Sequence, residues 1–263
     1  MDMGLKGRVA CVAGASQGLG RAVALGLAAE GCDLAVCARN QDKLTSLAAE
    51  AAERFGVRVA WRGVDLAQPG QAEAFVSEMA AQMGRLDVLI VNAGGPPAGT
   101  FADFSEEEWL AAVRLTLLSA QGLARGALPA MRRQKWGRIV NLSSISNKQP
   151  LPAMILSNSI RAAVIGWAKS LADEVAADGI MVNNICQGWI MTERVEQILA
   201  YRSEKLGIGR DALEAQVLGQ IPQGRIGRPE ELADLAVFLA SERASYITGA
   251  SVAIDGGLYR GLM

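Results

Sequence analysis

A glycine-rich turn follows the first apolar run of the chain. The segment reads Val9-Ala10-Cys11-Val12-Ala13-Gly14-Ala15-Ser16-Gln17-Gly18-Leu19-Gly20, which predicts a strand, a turn and the start of a helix. Its glycines are spaced G-x-x-x-G-x-G, and positions without a side chain let main-chain N–H groups approach a pyrophosphate at a helix N-terminus. The alternative is a tight turn that needs glycine for steric reasons alone. Because the turn follows the first strand, the pattern favours a dinucleotide site.

Short apolar runs alternate with longer amphipathic segments along the rest of the chain. We predict strands at Arg8–Ala13, Cys32–Ala38, Val57–Arg62, Leu86–Val91, Gly137–Leu142, Ile180–Cys186 and Ser251–Ile254, with helices between them. This alternation is typical of a parallel sheet covered by helices. We therefore expect a single α/β domain over residues 1–263. Its fold would be a Rossmann-like, doubly wound, seven-stranded parallel sheet in a three-layer α/β/α arrangement.

Several helix boundaries have chemical signals of their own. Ser105 followed by Glu108 predicts a capping box at the start of a long helix that ends at Met131. Pro152 is expected to begin a helix that ends at about Ala177, and Pro229 suits the first turn of another helix. Residues 189–223 contain several glycines and no predicted strand. An insertion of this kind is a candidate lid over a cleft.

Composition limits the class of protein. Hydrophobic residues make up 51% of the chain and charged residues 20%, which predicts a packed core and excludes a disordered chain. The chain has 26 basic and 27 acidic residues, so no broad basic field exists to attract nucleic acid or an anionic membrane surface. No uncharged stretch reaches the roughly 18 to 20 apolar residues of a membrane span. We therefore expect neither nucleic acid nor a membrane as a partner.

Histidine and cysteine usage limits the chemistry. The chain contains no histidine, which removes the commonest general base and the commonest zinc ligand, and we expect no metal site. The four cysteines, Cys11, Cys32, Cys37 and Cys186, show no C-x-x-C spacing, and they lie within predicted buried strands. The pattern predicts a reduced, cytoplasmic protein rather than a disulfide-stabilised one.

The end of the second predicted strand bears on the choice of cofactor. An acidic residue at this position binds the ribose 2′-hydroxyl of NAD, whereas an arginine favours the 2′-phosphate of NADP. Here Ala38 occupies the position of the acid and Arg39 follows it. The alternative is that Arg39 is a solvated residue ahead of a helix whose N-cap is Asn40. We favour NADP(H) over NAD(H).

These features resemble the short-chain dehydrogenases/reductases, especially the members that are similar to β-ketoacyl-acyl-carrier-protein reductases. Gly14-Ala15-Ser16-Gln17-Gly18-Leu19-Gly20 matches the family's cofactor loop, Asp65-Leu66 its adenine contact, and Asn92-Ala93-Gly94 the loop after its fourth strand. Asn183, Gly188 and Thr192 fit its N-x-x-x-P-G-x-x-x-T pattern, with Gln187 where proline is usual. The segments Arg225-Ile226-Gly227-Arg228-Pro229-Glu230-Glu231 and Ile254-Asp255-Gly256-Gly257 are also typical, so the resemblance covers about Leu5 to Gly257.

The resemblance implies a set of cofactor-binding residues. They are Gly14, Ser16, Gln17, Gly18, Leu19, Gly20, Arg39, Asp65, Leu66, Asn92, Ala93, Gly94, Gly188 and Thr192. It also implies a homo-oligomer, a tetramer or a dimer, in which the helices predicted at Ser105–Met131 and Pro152–Ala177 form an interface.

The catalytic positions of the family are largely substituted in this chain. Members carry a serine after the fifth strand, a tyrosine thirteen residues later, a lysine four residues after that, and an asparagine in the preceding long helix. Ser144 matches the serine, whereas Ser157, Arg161 and Thr116 stand at the tyrosine, lysine and asparagine positions. The segment Ala162–Leu171 fixes this register. The resemblance therefore implies a divergent branch with a degenerate active site, in which these four residues are the catalytic candidates.

The substitutions change the chemistry that the resemblance implies. In the family, the tyrosine gives a proton to the carbonyl oxygen while the reduced nicotinamide delivers a hydride. A serine hydroxyl is a far weaker acid than a phenol, and an arginine stays protonated and does not relay protons. Ser144 would instead donate a hydrogen bond to the developing alkoxide, and Arg161 would stabilise its charge. Lys148 and Tyr201 are further candidate proton donors outside the family positions.

Each altered residue also has a structural interpretation. Ser157 in mid-helix would bond back to a carbonyl one turn earlier. Arg161 would pair with a carboxylate of the predicted lid, Glu193 or Glu196, and Thr116 would pack between helices. Two functions therefore stay open. One is an NADP(H)-dependent oxidoreductase that acts on a small-molecule ketone or secondary alcohol; the other is a non-catalytic NADP(H)-binding protein, either a redox sensor or an inactive subunit of a hetero-oligomer.

Overall fold

Seven short apolar runs form the strands of one sheet in the computed structural model, which describes residues 2–262. The strands are β1 (Val9–Ala13), β2 (Asp33–Ala38), β3 (Val59–Gly63), β4 (Val88–Val91), β5 (Gly137–Leu142), β6 (Ile180–Gln187) and β7 (Ser251–Ile254). Their order is β3-β2-β1-β4-β5-β6-β7, and every neighbouring pair is parallel. The order reverses between β1 and β4, which is where open parallel sheets bind ligands. The predicted fold class is confirmed.

Nine α-helices connect and cover these strands within the described residues. They are α1 (Gly18–Ala29), α2 (Gln41–Phe55), α3 (Gln71–Met83), α4 (Glu106–Val113), α5 (Ser119–Gln134), α6 (Ile155–Val175), α7 (Glu193–Leu206), α8 (Arg210–Gln220) and α9 (Pro229–Ala240).

Helices cover both faces of the sheet. One apolar cluster joins α1, α2 and α9 to one face, through residues such as Leu27, Leu47 and Leu239. A second cluster joins α3, α5 and α6 to the other face, and Phe75 and Leu123 are fully buried in it. A parallel sheet that is buried on both faces requires strands that are almost wholly apolar. This requirement explains why the strands are recognisable as apolar runs.

The long helix predicted from Ser105 to Met131 is interrupted. Its capping box is confirmed, because the Ser105 side chain accepts from the Glu108 N–H and Glu108 accepts from the Ser105 N–H. However, α4 ends at Val113, and a π-helical turn, Arg114–Leu118, separates it from α5. A π-turn inserts an extra residue into the helical repeat and often lies at a functional site. This turn contains Thr116.

Two further helix starts were predicted from prolines. Pro229 is the first residue of α9, as predicted. The start predicted at Pro152 is wrong, because α6 begins at Ile155. Ala153 adopts a left-handed conformation with φ +55°, which a helix does not tolerate. The helix also ends at Val175, where a 3-10 turn, Ala176–Asp178, takes over.

The segment of residues 189–223 contains no strand but holds α7 and α8. Buried apolar side chains of the two helices pack together, and with Ile145 after β5 and Leu258 near the end of the chain they form a small separate core. This core joins the segment to the C-terminal ends of β5 and β7. Its action as a lid stays a prediction.

The four cysteines are buried free thiols. Burial raises the pKa of both Cys32 and Cys37 to about 12, so these thiols are protonated and unreactive at neutral pH. Within residues 2–262, no helix combines the length and the apolarity needed to cross a membrane.

Candidate cofactor and substrate site

The glycine turn packs tightly against the loop after β4. Asn92 donates from Nδ2 to the main-chain oxygen of Gly14 across 3.2 Å. A Cβ on Gly14, whose φ is +61°, would lie 2.8 Å from Asn92 Nδ2, and one on Gly20 would lie 2.2 Å from the Gly14 oxygen. Neither position therefore accepts a side chain. The main chain of the turn is held where a ligand can approach it closely.

The N-terminus of α1 is free to bind an anion. Its N-cap, Gln17, makes no side-chain capping bond, and the first turn of α1 contains no acidic residue. The first N–H groups of a helix have no partner within the helix, and the helix dipole places positive charge there. The residues present therefore fit the pyrophosphate of a dinucleotide.

Thr192 lies beside this turn. A Cβ on Gly18 would be 3.4 Å from Thr192 Cγ2. Thr192 also caps α7, because its side chain accepts a hydrogen bond from the Val195 N–H. The start of α7 is thus brought against the start of α1, as expected if residues 189–223 cover this site.

Two cations flank the glycine turn at the end of β2. Arg39 is exposed, and Asn40 caps α2 by accepting from the Lys43 N–H, as the alternative interpretation of this segment expects. The side chain of Lys43 donates from Nζ to Gln17 Oε1 across 2.5 Å and pairs with Glu193 Oε1 at 3.3 Å. Sequence analysis missed Lys43. Its signal was its position in the first turn of the helix that follows the second strand.

The other predicted cofactor residues lie at the same edge of the sheet. Asp65 and Leu66 follow β3; Leu66 is buried, and Asp65 Oδ1 accepts from the Ala67 N–H. Asn92, Ala93 and Gly94 follow β4, and Gly188 follows β6, where a Cβ on it would lie 2.7 Å from that of Asp255. In a parallel sheet these C-terminal strand ends meet at one edge.

Ser144 follows β5 and keeps its hydroxyl proton available. Its Oγ accepts a hydrogen bond from the Ser146 N–H at 3.1 Å, and the residue is half-buried. A hydroxyl that accepts one hydrogen bond still donates another. Ser144 can therefore donate to a ligand oxygen at this edge.

Arg161 lies on α6 and reaches the end of β5. Its Nη1 donates to the main-chain oxygen of Leu142 across 3.2 Å. Burial, and then repulsion from Arg194, lower the pKa of Arg161 to about 10, so the guanidinium stays charged at neutral pH. The alternative pairing of Arg161 with the lid is wrong, because Glu193 pairs with Lys43 and Glu196 pairs with Arg210.

Thr116 and Arg161 line one small cavity. Its volume is about 20 Å³, and Asn141 and Ser143 also line it. Thr116 Oγ1 and Asn141 Oδ1 are buried there without hydrogen-bond partners. A space of this size has room for one water molecule. The π-turn thus places Thr116 on the cavity wall, opposite the end of β5.

Ser157 is closed off from the cleft. The residue is 2% exposed, and its Oγ lies 3.3 Å from Ser146 Oγ. Its hydroxyl partner is therefore Ser146 rather than a carbonyl one turn earlier in the helix.

The two candidate proton donors outside the family positions are both engaged. The ammonium group of Lys148 lies 5.4 Å from the centre of the Tyr259 ring, and Tyr201 accepts a hydrogen bond from Lys205. Among residues 2–262, no group of three His, Cys, Asp or Glu residues is arranged to hold a metal ion.

Comparison with known proteins gives consistent similarities over nearly the whole chain. The family profile described as enoyl-(acyl carrier protein) reductase matches residues 14–259. The chain is 33% identical over 255 residues to the D-beta-hydroxybutyrate dehydrogenase of Cupriavidus necator, covering 96% of this chain and 98% of that protein. It is 34% identical over 250 residues to a 3-oxoacyl-(acyl-carrier-protein) reductase of Staphylococcus aureus, covering 95% and 97%.

A solved structure shows the same likeness in three dimensions. The L-sorbose reductase from Gluconobacter frateurii, complexed with NADPH and L-sorbose, superposes with a TM-score of 0.94 at 37% identity. The superposition covers 100% of both chains.

Proposed function

Because the chain belongs to the short-chain dehydrogenase/reductase family, we propose that it is an NADP(H)-dependent oxidoreductase that interconverts a ketone and a secondary alcohol. The observation that carries the proposal is that the uncapped N-terminus of α1 and the hydroxyl of Ser144 lie at the same edge of the sheet. Relatives named as dehydrogenases and reductases, and the NADPH complex of the sorbose reductase, support it.

NADP(H) is preferred over NAD(H) in this proposal. The 2′-phosphate of NADP carries negative charge beside the adenine ribose, and Arg39 and Lys43 provide two cations at the end of β2. Position 38, where an acidic residue would bind the 2′-hydroxyl of NAD, is an alanine. Phosphate binding by two cations would outweigh the lost Lys43–Glu193 ion pair, because exposed pairs contribute little.

The reduction is proposed to use an electrostatic site rather than a tyrosine acid. When bound, NADPH would supply the hydride that reduces the carbonyl carbon, so that negative charge develops on the carbonyl oxygen. Ser144 donates its hydroxyl proton in a hydrogen bond to that oxygen, and the fixed charge of Arg161 stabilises it. The alkoxide then takes a proton from water to give the alcohol. With its pKa near 10, Arg161 keeps its proton throughout and acts only through its charge.

The sizes of the catalytic effects that such a site keeps and loses predict slow but measurable turnover. A positioned general acid contributes about 10²- to 10⁴-fold to the rate. Holding the two reactants in place removes roughly 7 to 11 kcal/mol of barrier, which is the larger effect. A site that binds the cofactor and the carbonyl therefore keeps most of its rate enhancement without a phenol.

A titration tests the cofactor half of the proposal. Energy transfer from the five tryptophans to the reduced nicotinamide reports binding of NADPH and, in parallel, of NADH. Micromolar NADPH binding with weaker NADH binding is expected. Purified protein, freed of contaminating reductases, is then assayed with a broad panel of carbonyls and alcohols. No turnover with any of them would overturn the enzymatic proposal.

A non-catalytic NADP(H)-binding protein is the second candidate function, either a redox sensor or an inactive subunit of a hetero-oligomer. The observation that favours it is the burial of Ser157 against Ser146, which leaves no acid at the tyrosine position. A non-catalytic protein of this kind is expected to bind NADPH tightly and to show no turnover. Turnover that is lost on Ser144→Ala would contradict it.

The segment 189–223 is proposed to act as a lid over the cofactor. Thr192 beside Gly18 and the Lys43–Glu193 ion pair support this proposal, since both connect α7 to the cofactor turn. Saturating NADPH is therefore expected to slow proteolysis within α7 and α8. Cleavage at an unchanged rate would contradict the lid.

A homo-oligomer, a dimer or a tetramer, is also proposed. The outer faces of α4, α6 and the π-turn leave apolar and small residues exposed, among them Leu110, Leu118, Ala162 and Ala163. Exposed apolar patches of this kind mark interfaces between chains. Size-exclusion chromatography with light scattering is expected to show more than one chain per particle at micromolar concentration, and a monomer would contradict it.

A further inference from the structure

Two guanidinium groups converge on the loop after β4 from different helices. Arg194, at the start of α7, donates from Nη2 to the main-chain oxygen of Pro96 across 3.1 Å. Arg161, from α6, places its Nη2 3.9 Å from the point that a Cβ on Gly95 would occupy. Gly95 and Pro96 are consecutive, so both positive charges approach the same short piece of main chain. The absence of a side chain on Gly95 leaves space beside Arg161.

Neither guanidinium has a carboxylate partner among residues 2–262. The two nearest carboxylates on α7 are engaged, Glu193 with Lys43 and Glu196 with Arg210. Arg161 and Arg194 each use one N–H on a main-chain oxygen, which leaves most of their five donors uncommitted. Repulsion from Arg194 contributes to the lowered pKa of Arg161, and an anion bound between the two guanidinium groups would relieve it.

The anionic groups of the cofactor do not account for this pair. The pyrophosphate has the N-terminus of α1, and the 2′-phosphate has Arg39 and Lys43. The bonds to the Leu142 and Pro96 oxygens fix the two guanidinium groups but use only one donor of each. The substrate is therefore the remaining source of an anion for these two arginines.

We propose that the substrate is an oxo acid: Arg161 and Arg194 bind its carboxylate, its carbonyl oxygen accepts from Ser144, and the charge of Arg161 faces both groups. This inference rests on the proposed oxidoreductase function. Because Arg161 faces both groups, the carbonyl and the carboxylate must lie close together on the substrate. The carbonyl therefore lies one or two carbons from the carboxylate, as in a 2-oxo or 3-oxo acid.

The first experiment measures binding without turnover. Malonate serves as the probe, and its dissociation constant is measured by calorimetry on the NADP-loaded protein at constant ionic strength. Arg194→Ala is expected to weaken malonate binding about 10- to 100-fold, because charged hydrogen bonds of this kind are lost. Arg202→Ala, which removes the same charge two turns further along α7, is expected to leave it unchanged. NADPH binding is expected to be unaffected by either variant.

The second experiment compares an acid with its ester. Acetoacetate and methyl acetoacetate differ at the carboxylate and share the ketone. Wild type is expected to favour the acid in kcat/KM. Arg194→Ala is expected to raise KM for the acid about 10- to 100-fold and to leave the ester unchanged. Arg194→Lys, which keeps the charge but loses the two-pronged geometry, is expected to restore part of the effect.

The outcomes separate this inference from the function it rests on. Turnover of the ester without malonate binding, or equal losses in Arg194→Ala and Arg202→Ala, would overturn the oxo-acid site and leave the oxidoreductase standing. Malonate binding that depends on Arg194, with no turnover of either ketone, would support the acid site and count against the oxidoreductase.

Discussion

The guanidinium of Arg161 donates to the main-chain oxygen of Leu142 across 3.2 Å, which fixes a cation from α6 at the end of β5. Ser144 lies two residues beyond this contact, and its Oγ accepts from the Ser146 N–H. The hydroxyl and the positive charge are thus oriented by separate main-chain bonds at one strand end. An arrangement that is held before the substrate arrives is what electrostatic stabilisation of an alkoxide requires.

Replacing Ser144 by alanine tests this arrangement directly. Ser144→Ala removes the hydrogen-bond donor and is expected to lower kcat about 10²- to 10³-fold, with the dissociation constant of NADPH unchanged. Steady-state kinetics and the tryptophan titration measure the two quantities. Ser170→Ala is the matched control, because the Ser170 hydroxyl only bonds back to the Gly166 oxygen on the exposed side of α6. A kcat that is equal in the two variants would contradict the role of Ser144.

The role of the glycine turn in cofactor binding is tested by a pair of glycine-to-alanine variants. Gly20→Ala places a Cβ 2.2 Å from the Gly14 oxygen, which forces the cofactor turn to move. Loss of NADPH binding and a lower Tm are expected. Gly219→Ala, in α8, meets no atom within 4 Å, and is expected to leave NADPH binding unchanged and to raise stability by up to about 1 kcal/mol. Normal NADPH binding by Gly20→Ala would show that the turn does not hold the cofactor.

Arg39→Ala and Lys43→Ala test the cofactor preference. Each is expected to weaken NADPH binding about tenfold, because one charged contact to the 2′-phosphate is lost, and to leave NADH binding unchanged. Arg125→Ala is the control, since Arg125 is an exposed arginine on α5 that pairs with Glu73. Parallel titrations with both nucleotides measure the effect. Equal losses for NADPH and NADH would contradict a 2′-phosphate site at these residues.

Glu231 predicts a pH-dependent contribution to stability. Its side chain accepts from Arg225 and from the Arg228 N–H, and these bonds lower its pKa from 4.5 to about 2. A carboxyl with a lowered pKa in the folded state stabilises that state above its unfolded pKa, and the stabilisation is lost as the pH falls through the folded value. Urea unfolding is therefore expected to show wild type more stable than Glu231→Gln at pH 7. The difference should shrink between pH 4.5 and about 2. A difference that is constant over this range would contradict the assignment.

The strands and the cofactor turn could be predicted because each has a local cause. A buried parallel strand must be apolar on both faces, so the fully buried strands β1 and β4 are found with their C-terminal ends correct. The glycines of the turn are required by contacts within a few residues of it and with Asn92. Such constraints leave a pattern in the sequence itself.

The missed features depend on contacts that no local pattern records. The π-turn at Thr116 could not be predicted, because its residues, Arg114–Leu118, have no distinctive propensity. Arg194 and Lys43 contact Pro96 and Gln17 because α7 and α2 fold back to these loops. The structural alternative paired Arg161 with Glu193 or Glu196, but those carboxylates pair with Lys43 and Arg210. Partner choice of this kind is decided by tertiary structure.

Rebuilding the family's residues tests whether the altered positions limit the rate. The triple variant Thr116→Asn, Ser157→Tyr, Arg161→Lys restores the phenol, the lysine and the asparagine that the resemblance assigns to these positions. If the missing acid limits turnover, kcat for a neutral ketone rises about 10²- to 10⁴-fold. Kinetics with NADPH measure the change, and the tryptophan titration checks that the cofactor still binds. Thr116→Asn alone is the control, because it leaves the acid position unchanged and is expected to have little effect. Since Ser157 is 2% exposed, the larger side chain must displace Ser146 or the loop that carries it. A triple variant that binds NADPH normally but turns over no faster would show that proton donation is not what limits this site.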